Sequence, residues 1–220
     1  MHSTAHRQGG KGLAVWLLGI AALAAGLWLA LQSRQAPPPP TLSPGTVRLD
    51  EPRPLQAFDL VDHHGQPFDL DRLRGHWTFL FFGYTHCPDV CPTTMATLNA
   101  AARRMAELEE PPPLAQFAFV SVDPERDTPE QLSKFVPYFN KTFLGVTGTP
   151  PAIDAFTRQL GIMHMKVDTD SPDGYLVDHS ASVVLIDPQA RFHALFSGPL
   201  DPLVIARDYQ QLTHYYEAQQ

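Results

Sequence analysis

The run Trp77-Thr78-Phe79-Leu80-Phe81-Phe82 is apolar without interruption, as a strand buried on both faces must be, and helix-forming sequence follows from Thr93 to Leu108. The corner between them reads Tyr84-Thr85-His86-Cys87-Pro88-Asp89-Val90-Cys91-Pro92 and holds the only two cysteines of the 220 residues. If Val90 and Cys91 have entered the helix, the i,i+4 spacing puts both sulfurs on one face, with α-carbons about 6 Å apart. That separation suits a disulfide or one shared metal ion. Helix N-terminal amides favour thiolate over thiol at such a position. A bridge closing so short a loop restrains little of the unfolded chain, so stability is a poor reason for the pair.

Ahead of this corner, Leu13 to Leu31 is a run of 19 residues without a charge. At 1.5 Å per residue it reaches about 28 Å, the thickness of a hydrocarbon core, and it exceeds the apolar region of a cleaved signal peptide. A buried core helix is the weaker reading, because nothing yet made in the chain could pack against it. The expectation is therefore a cytoplasmic segment over 1–12, a transmembrane anchor over 13–31, a Pro-rich linker over 32–47 and one folded domain over 48–220. Arg7 and Lys11 before the span, against Arg34 after it, place the N-terminus in the cytoplasm and the domain outside. Few residues precede the span, so an organelle-targeting segment is not evident, and a bacterial inner membrane with the domain in the periplasm is the expected location. Pro37 to Pro40 and the residues to Thr46 are expected to form an extended spacer.

Asp and Glu number 23 against 16 Lys and Arg, and the first 34 residues contain three of the basic residues and none of the acidic ones. The domain is therefore strongly acidic, which excludes nucleic acid as a partner. Within it, Phe58 to Asp62 and Gln66 to Leu70 flank a turn at His63-His64-Gly65 and predict a hairpin. A second buried strand covers Phe117 to Val122. Thr128-Pro129 and Thr149-Pro150 each open a helix, with threonine as cap and proline at the first position. Met163 to Asp168 and Tyr175 to Ile186 read as strands around a turn at Ser171 to Gly174, Phe192 to Ser197 as the last strand, and Asp201-Pro202 as the start of the last helix. Strands alternating with helices, then a late antiparallel pair, predict an α/β fold of thioredoxin-like order.

Thiolates are soft ligands that copper(I) prefers, and two of them call for a third ligand from elsewhere in the chain. Of ten histidines, His179 in Val177-Asp178-His179-Ser180 is the candidate. His86 competes, but its neighbour Cys87 already claims that stretch of backbone. His164, between Met163 and Met165, resembles a soft-ligand cluster, although strand alternation gives those methionines a core role more often. A lone histidine is usually structural, so on the residues alone the third ligand stays open.

Phe82 to Pro92, Val120-Ser121-Val122-Asp123-Pro124-Glu125-Arg126-Asp127-Thr128 and Val177 to Ser180 together resemble the Sco/SenC family of copper chaperones, in unbroken order from about Phe58 to Gln211. The resemblance implies a thioredoxin-like fold with an inserted β-hairpin behind a membrane anchor. It also implies that Cys87, Cys91 and His179 bind one copper ion for the binuclear copper site of a respiratory cytochrome c oxidase, whose copper-site subunit would be the partner. Asp89 and Asp178 match the family pattern too, where they would orient the histidine or neutralise charge. Asp123 and Asp127 read as structural.

The competing function is a membrane-tethered thiol-disulfide reductase, for which Cys87 and Cys91 would be catalytic and form the disulfide. Against it stand the three residues between the cysteines, where reductases of this fold have two, and the lack of a proline just before Val183. A thiol peroxidase lacks its threonine: Tyr84 and Pro88 stand three residues before the two cysteines.

Overall fold

The computed structural model describes residues 10–32, 38–168 and 174–220. Helix α1 (Gly10–Gln32) belongs to one compact unit, and residues 40–217 form the other. Within α1 the side chains described are those of Val15 to Trp28, all of them exposed. Among the described residues no helix is long and apolar enough to cross a membrane, and the ends of the expected span over 13–31 lie outside the described side chains.

The larger unit begins with β1 (Thr46–Pro54), β2 (Leu60–Asp62), β3 (Pro67–Phe68) and the short helix α2 (Leu70–Leu73). Next come β4 (Trp77–Gly83), α3 (Val90–Ala106), β5 (Ala115–Ser121), α4 (Pro129–Phe139), β6 (Leu144–Thr147) and α5 (Pro150–Leu160). The chain closes with β7 (His164–Asp168), β8 (Tyr175–His179), β9 (Val183–Ile186), β10 (Arg191–Phe196) and α6 (Pro202–Glu217).

Eight strands form one mixed sheet in the order β1-β10-β9-β4-β5-β6-β2-β3, and β7 and β8 pair separately as an antiparallel hairpin. Every residue of β4 is buried, as its apolar run requires, between parallel β5 and antiparallel β9. Helices cover both faces. Tyr209 of α6 meets Phe79 and Phe135 of α4 meets Phe119, on the face the odd residues of β4 present. Phe156 of α5 meets Phe82 on the opposite face. Thr128, Thr149 and Asp201 each accept amide hydrogens at the start of the predicted helices.

Three expectations are corrected. The single strand over Tyr175 to Ile186 is broken at Ser180–Ser182: β8 leaves with the hairpin, and only β9 enters the main sheet. Met163 and Met165 have no core role, being 78% and 63% exposed, because β7 belongs to a hairpin with one uncovered face. The end of the expected spacer is docked on the domain, where Ser43 donates its amide and its hydroxyl to the Asp208 carboxylate at 3.1 and 3.0 Å. The turn expected at Ser171 to Gly174 lies, except for Gly174, outside the described residues.

Candidate metal centre

Strand β4 ends at Gly83, and α3 begins at Val90, so the corner between them stands at the carboxyl edge of the sheet, where α/β folds place their ligands. Cys91 is in the first turn of α3 and fully buried, whereas Cys87 is half-buried in the loop. The two are therefore not neighbours on a helix face. Instead the Cys91 amide donates to the Cys87 sulfur at 3.5 Å, so that sulfur takes the place of a cap on the helix N-terminus.

His179, the last residue of β8, brings its Nε2 to 3.3 Å from the Cys91 sulfur. Its Nδ1 donates to the Ser180 carbonyl at 3.2 Å, which leaves Nε2 as the nitrogen free for a ligand. The rings of Phe81 and Tyr84 stand edge-on to the imidazole, at 6.2 and 6.0 Å between centroids. Among the described residues Cys87, Cys91 and His179 are the one cluster of three or more His, Cys, Asp or Glu side chains placed to hold a metal ion, with all three ligand atoms within 4.8 Å of one another.

The two sulfurs are unequal. The hydrogen bond with Cys91 comes first among the causes that pull the Cys87 thiol far below its ordinary value; His179 and the amides of Asp89 and Cys91 add to it, against a burial cost. Cys91 moves in the opposite direction, because its hydrogen bond with Cys87 holds the proton on it, because the site is buried and because a thiolate at Cys87 opposes a second one beside it. The arrangement thus favours a thiolate at Cys87 and a protonated thiol at Cys91. Both thiols are free.

The competing histidines are occupied elsewhere. His86 contacts the Thr85 hydroxyl at 3.1 Å, and His164 lies 3.3 Å from both the Thr157 hydroxyl and the Asp154 carboxylate. Asp89 and Asp178 are exposed and line an open cavity of about 220 Å³ with Cys87 and His179.

Two supports were not read from the sequence. A β-carbon on Gly83 would lie 2.6 Å from the Cys91 sulfur and 2.9 Å from the Phe119 ring, so glycine there is a condition of the thiol's position. The second is a buried polar cluster under the loop. Asp127 accepts from the Thr85 amide at 2.9 Å, the Thr85 hydroxyl at 2.6 Å and the Ser121 hydroxyl at 2.7 Å. Asp123 pairs with Arg126 and accepts from the Tyr175 hydroxyl at 2.8 Å. The Arg126 guanidinium lies 3.8 Å over the Tyr175 ring and 5.6 Å over the Tyr84 ring. One five-residue segment thus fastens the cysteine loop and the β7–β8 hairpin, which carries His179, to the end of β5. The structural reading of Asp123 and Asp127 holds, and the structure adds what they fasten.

The SCO1/SenC family model matches residues 48–214. The chain belongs to this family. The mitochondrial SCO2 homolog of Bos taurus is 34% identical over 218 residues, covering 94% of this chain and 77% of that protein. Arabidopsis thaliana ScoI, solved with copper bound, is a structural neighbour at TM-score 0.69 and 32% identity, covering 73% of this chain and 98% of the other. BsSco, described as a member of the Sco family of cytochrome c oxidase assembly proteins with a disulfide switch, shares the fold at TM-score 0.58 and 21% identity, covering 76% of this chain and 98% of its own. The SCO1/SenC assignment agrees with the thioredoxin-like fold expected from the motif order.

Proposed function

We propose that this chain binds one copper ion through Cys87, Cys91 and His179 and delivers it to the copper-site subunit of a cytochrome c oxidase. The observation that carries the reading is the convergence of two soft sulfurs and one imidazole nitrogen within 4.8 Å. Three such ligands suit copper(I), whereas structural zinc calls for four. Cys87 is the sulfur biased toward thiolate and Cys91 the one biased to keep its proton, so uptake of the cargo has chiefly the Cys91 proton to displace. Asp89 and Asp178 supply negative charge around the cavity mouth. The uncharged run over 13–31 and the exposed apolar residues of α1 support an anchor that holds the domain at a membrane, on its exported side.

Titration of the reduced chain with copper(I) against a competing chelator tests this. One ion per chain is expected; His179→Ala should lose affinity on the order of tenfold or more, and His86→Ala and His164→Ala should keep it. Equal losses from all three, or equal retention of zinc, would refute the assignment.

A second reading rests on the inequality of the sulfurs. A half-buried Cys87 biased toward thiolate beside a buried Cys91 biased to keep its proton is the arrangement of an attacking and a resolving thiol. Cys87 would attack a partner disulfide and release one partner thiolate. Cys91, losing its proton, would then displace the second, which leaves the partner reduced by two electrons and Cys87–Cys91 oxidised. The two activities are compatible, since an acceptor must be reduced before it can take copper.

A further inference from the structure

The sequence marks Met163-His164-Met165 as a soft-ligand cluster, and the structure takes it apart. His164 is held by Asp154 and Thr157, while both methionines stand in solvent. Large apolar side chains at such exposure forgo the stabilisation of burial, and a free strand face is a costly place for two of them. Their location is specific. Met165 pairs with Asp178 across the hairpin, and the Ser180 amide donates to the Met163 carbonyl at 3.2 Å. Met163, Met165, Asp178 and His179 line an open cavity of about 470 Å³, which shares Asp178 and His179 with the cavity over Cys87.

We propose that the thioethers of Met163 and Met165, with the Asp178 carboxylate, form a second and weaker copper(I) site on the outer face of the β7–β8 hairpin, adjoining the Cys87–Cys91–His179 centre. The inference rests on the copper reading above. Thioethers are soft, neutral donors that select copper(I), and the carboxylate balances its single charge. Two thioethers bind less tightly than two thiolates, so an ion held there is poised to move. An ion could then pass between partner and centre by exchange of one ligand at a time, without becoming bare and without any change of oxidation state.

The full chain carrying methionines labelled with carbon-13 at the methyl group tests the site, with silver(I) as a redox-inert probe of the same softness. The first equivalent should leave the Met163 and Met165 methyl signals in place, and further silver should shift both; buried Met95 and Met105 serve as fixed references. In the Met163→Leu/Met165→Leu variant the second event should vanish, the first should keep its affinity, and release of copper(I) to a chelator should slow several-fold. Methyl signals that stay put at every silver concentration, or a double variant that still takes up the second ion, would overturn the proposal. Failure of the first event alone would count against the Cys87–Cys91–His179 centre, since the methyl signals report the outer site independently.

Discussion

Cys91 can fold back over the end of β4 because Gly83 offers no side chain there. Gly83→Ala puts a methyl group into space filled by the sulfur and the Phe119 ring, a strain of about 1–3 kcal/mol. Much of it should be relieved by moving the thiol, so copper(I) affinity should fall on the order of tenfold with the fold retained, as chelator competition and circular dichroism would report. The asymmetry of the sulfurs makes a second prediction. Cys87 is depressed and Cys91 raised, so above neutrality copper uptake releases one thiol proton rather than two. Affinity should therefore rise with pH by about one log unit per pH unit, and a slope near two would show both sulfurs protonated. The two sulfur ligands were legible in the sequence because cysteine occurs only twice, whereas His179, one of ten histidines, was singled out by the family resemblance and not by the residues alone. The need for glycine at 83 was not legible, since Phe119 reaches it only through the register of β5 on β4.

At the scale of elements, the segment Asp123 to Asp127 decides whether the ligands meet. Its carboxylates hold Thr85 on one side and Tyr175 on the other, and both Asp123 and Asp127 are fully buried. Tyr175→Phe removes one donor from buried Asp123 while keeping the ring under Arg126, at a cost of about 1–3 kcal/mol. The expected result is a modest fall in Tm and a several-fold loss of copper affinity, with the cysteines reacting as before; an unchanged affinity would show that the hairpin is placed by other contacts. Sequence patterns revealed β4, β5 and the capped helices, whose signals are local. They missed β6, a four-residue strand made into one by its pairing with β5 and β2. They also missed β1, whose charges and prolines suit an edge paired only to β10. Alternation in β7 told which residues share a face, but not which face the fold would cover.

For the whole molecule, the two readings of the cysteines separate in cells. In Cys87→Ser and Cys91→Ser strains, oxidase activity at low copper should be lost and should return as copper is raised, because mass action then loads the acceptor directly. Return on added dithiol, and not on copper, would establish the reductase and withdraw the metal role of His179. The ligands also lie far apart along the chain, with Cys91 and His179 separated by 88 positions, and the histidine rides on a hairpin outside the main sheet. A bound ion is then a removable staple between two parts of the fold. Loading should raise the melting temperature and shield the hairpin from proteases, and unloading should reverse both. A chain that has surrendered its copper differs in rigidity from one that still carries it, so a quality-control protease could tell empty carriers from full ones by touch alone.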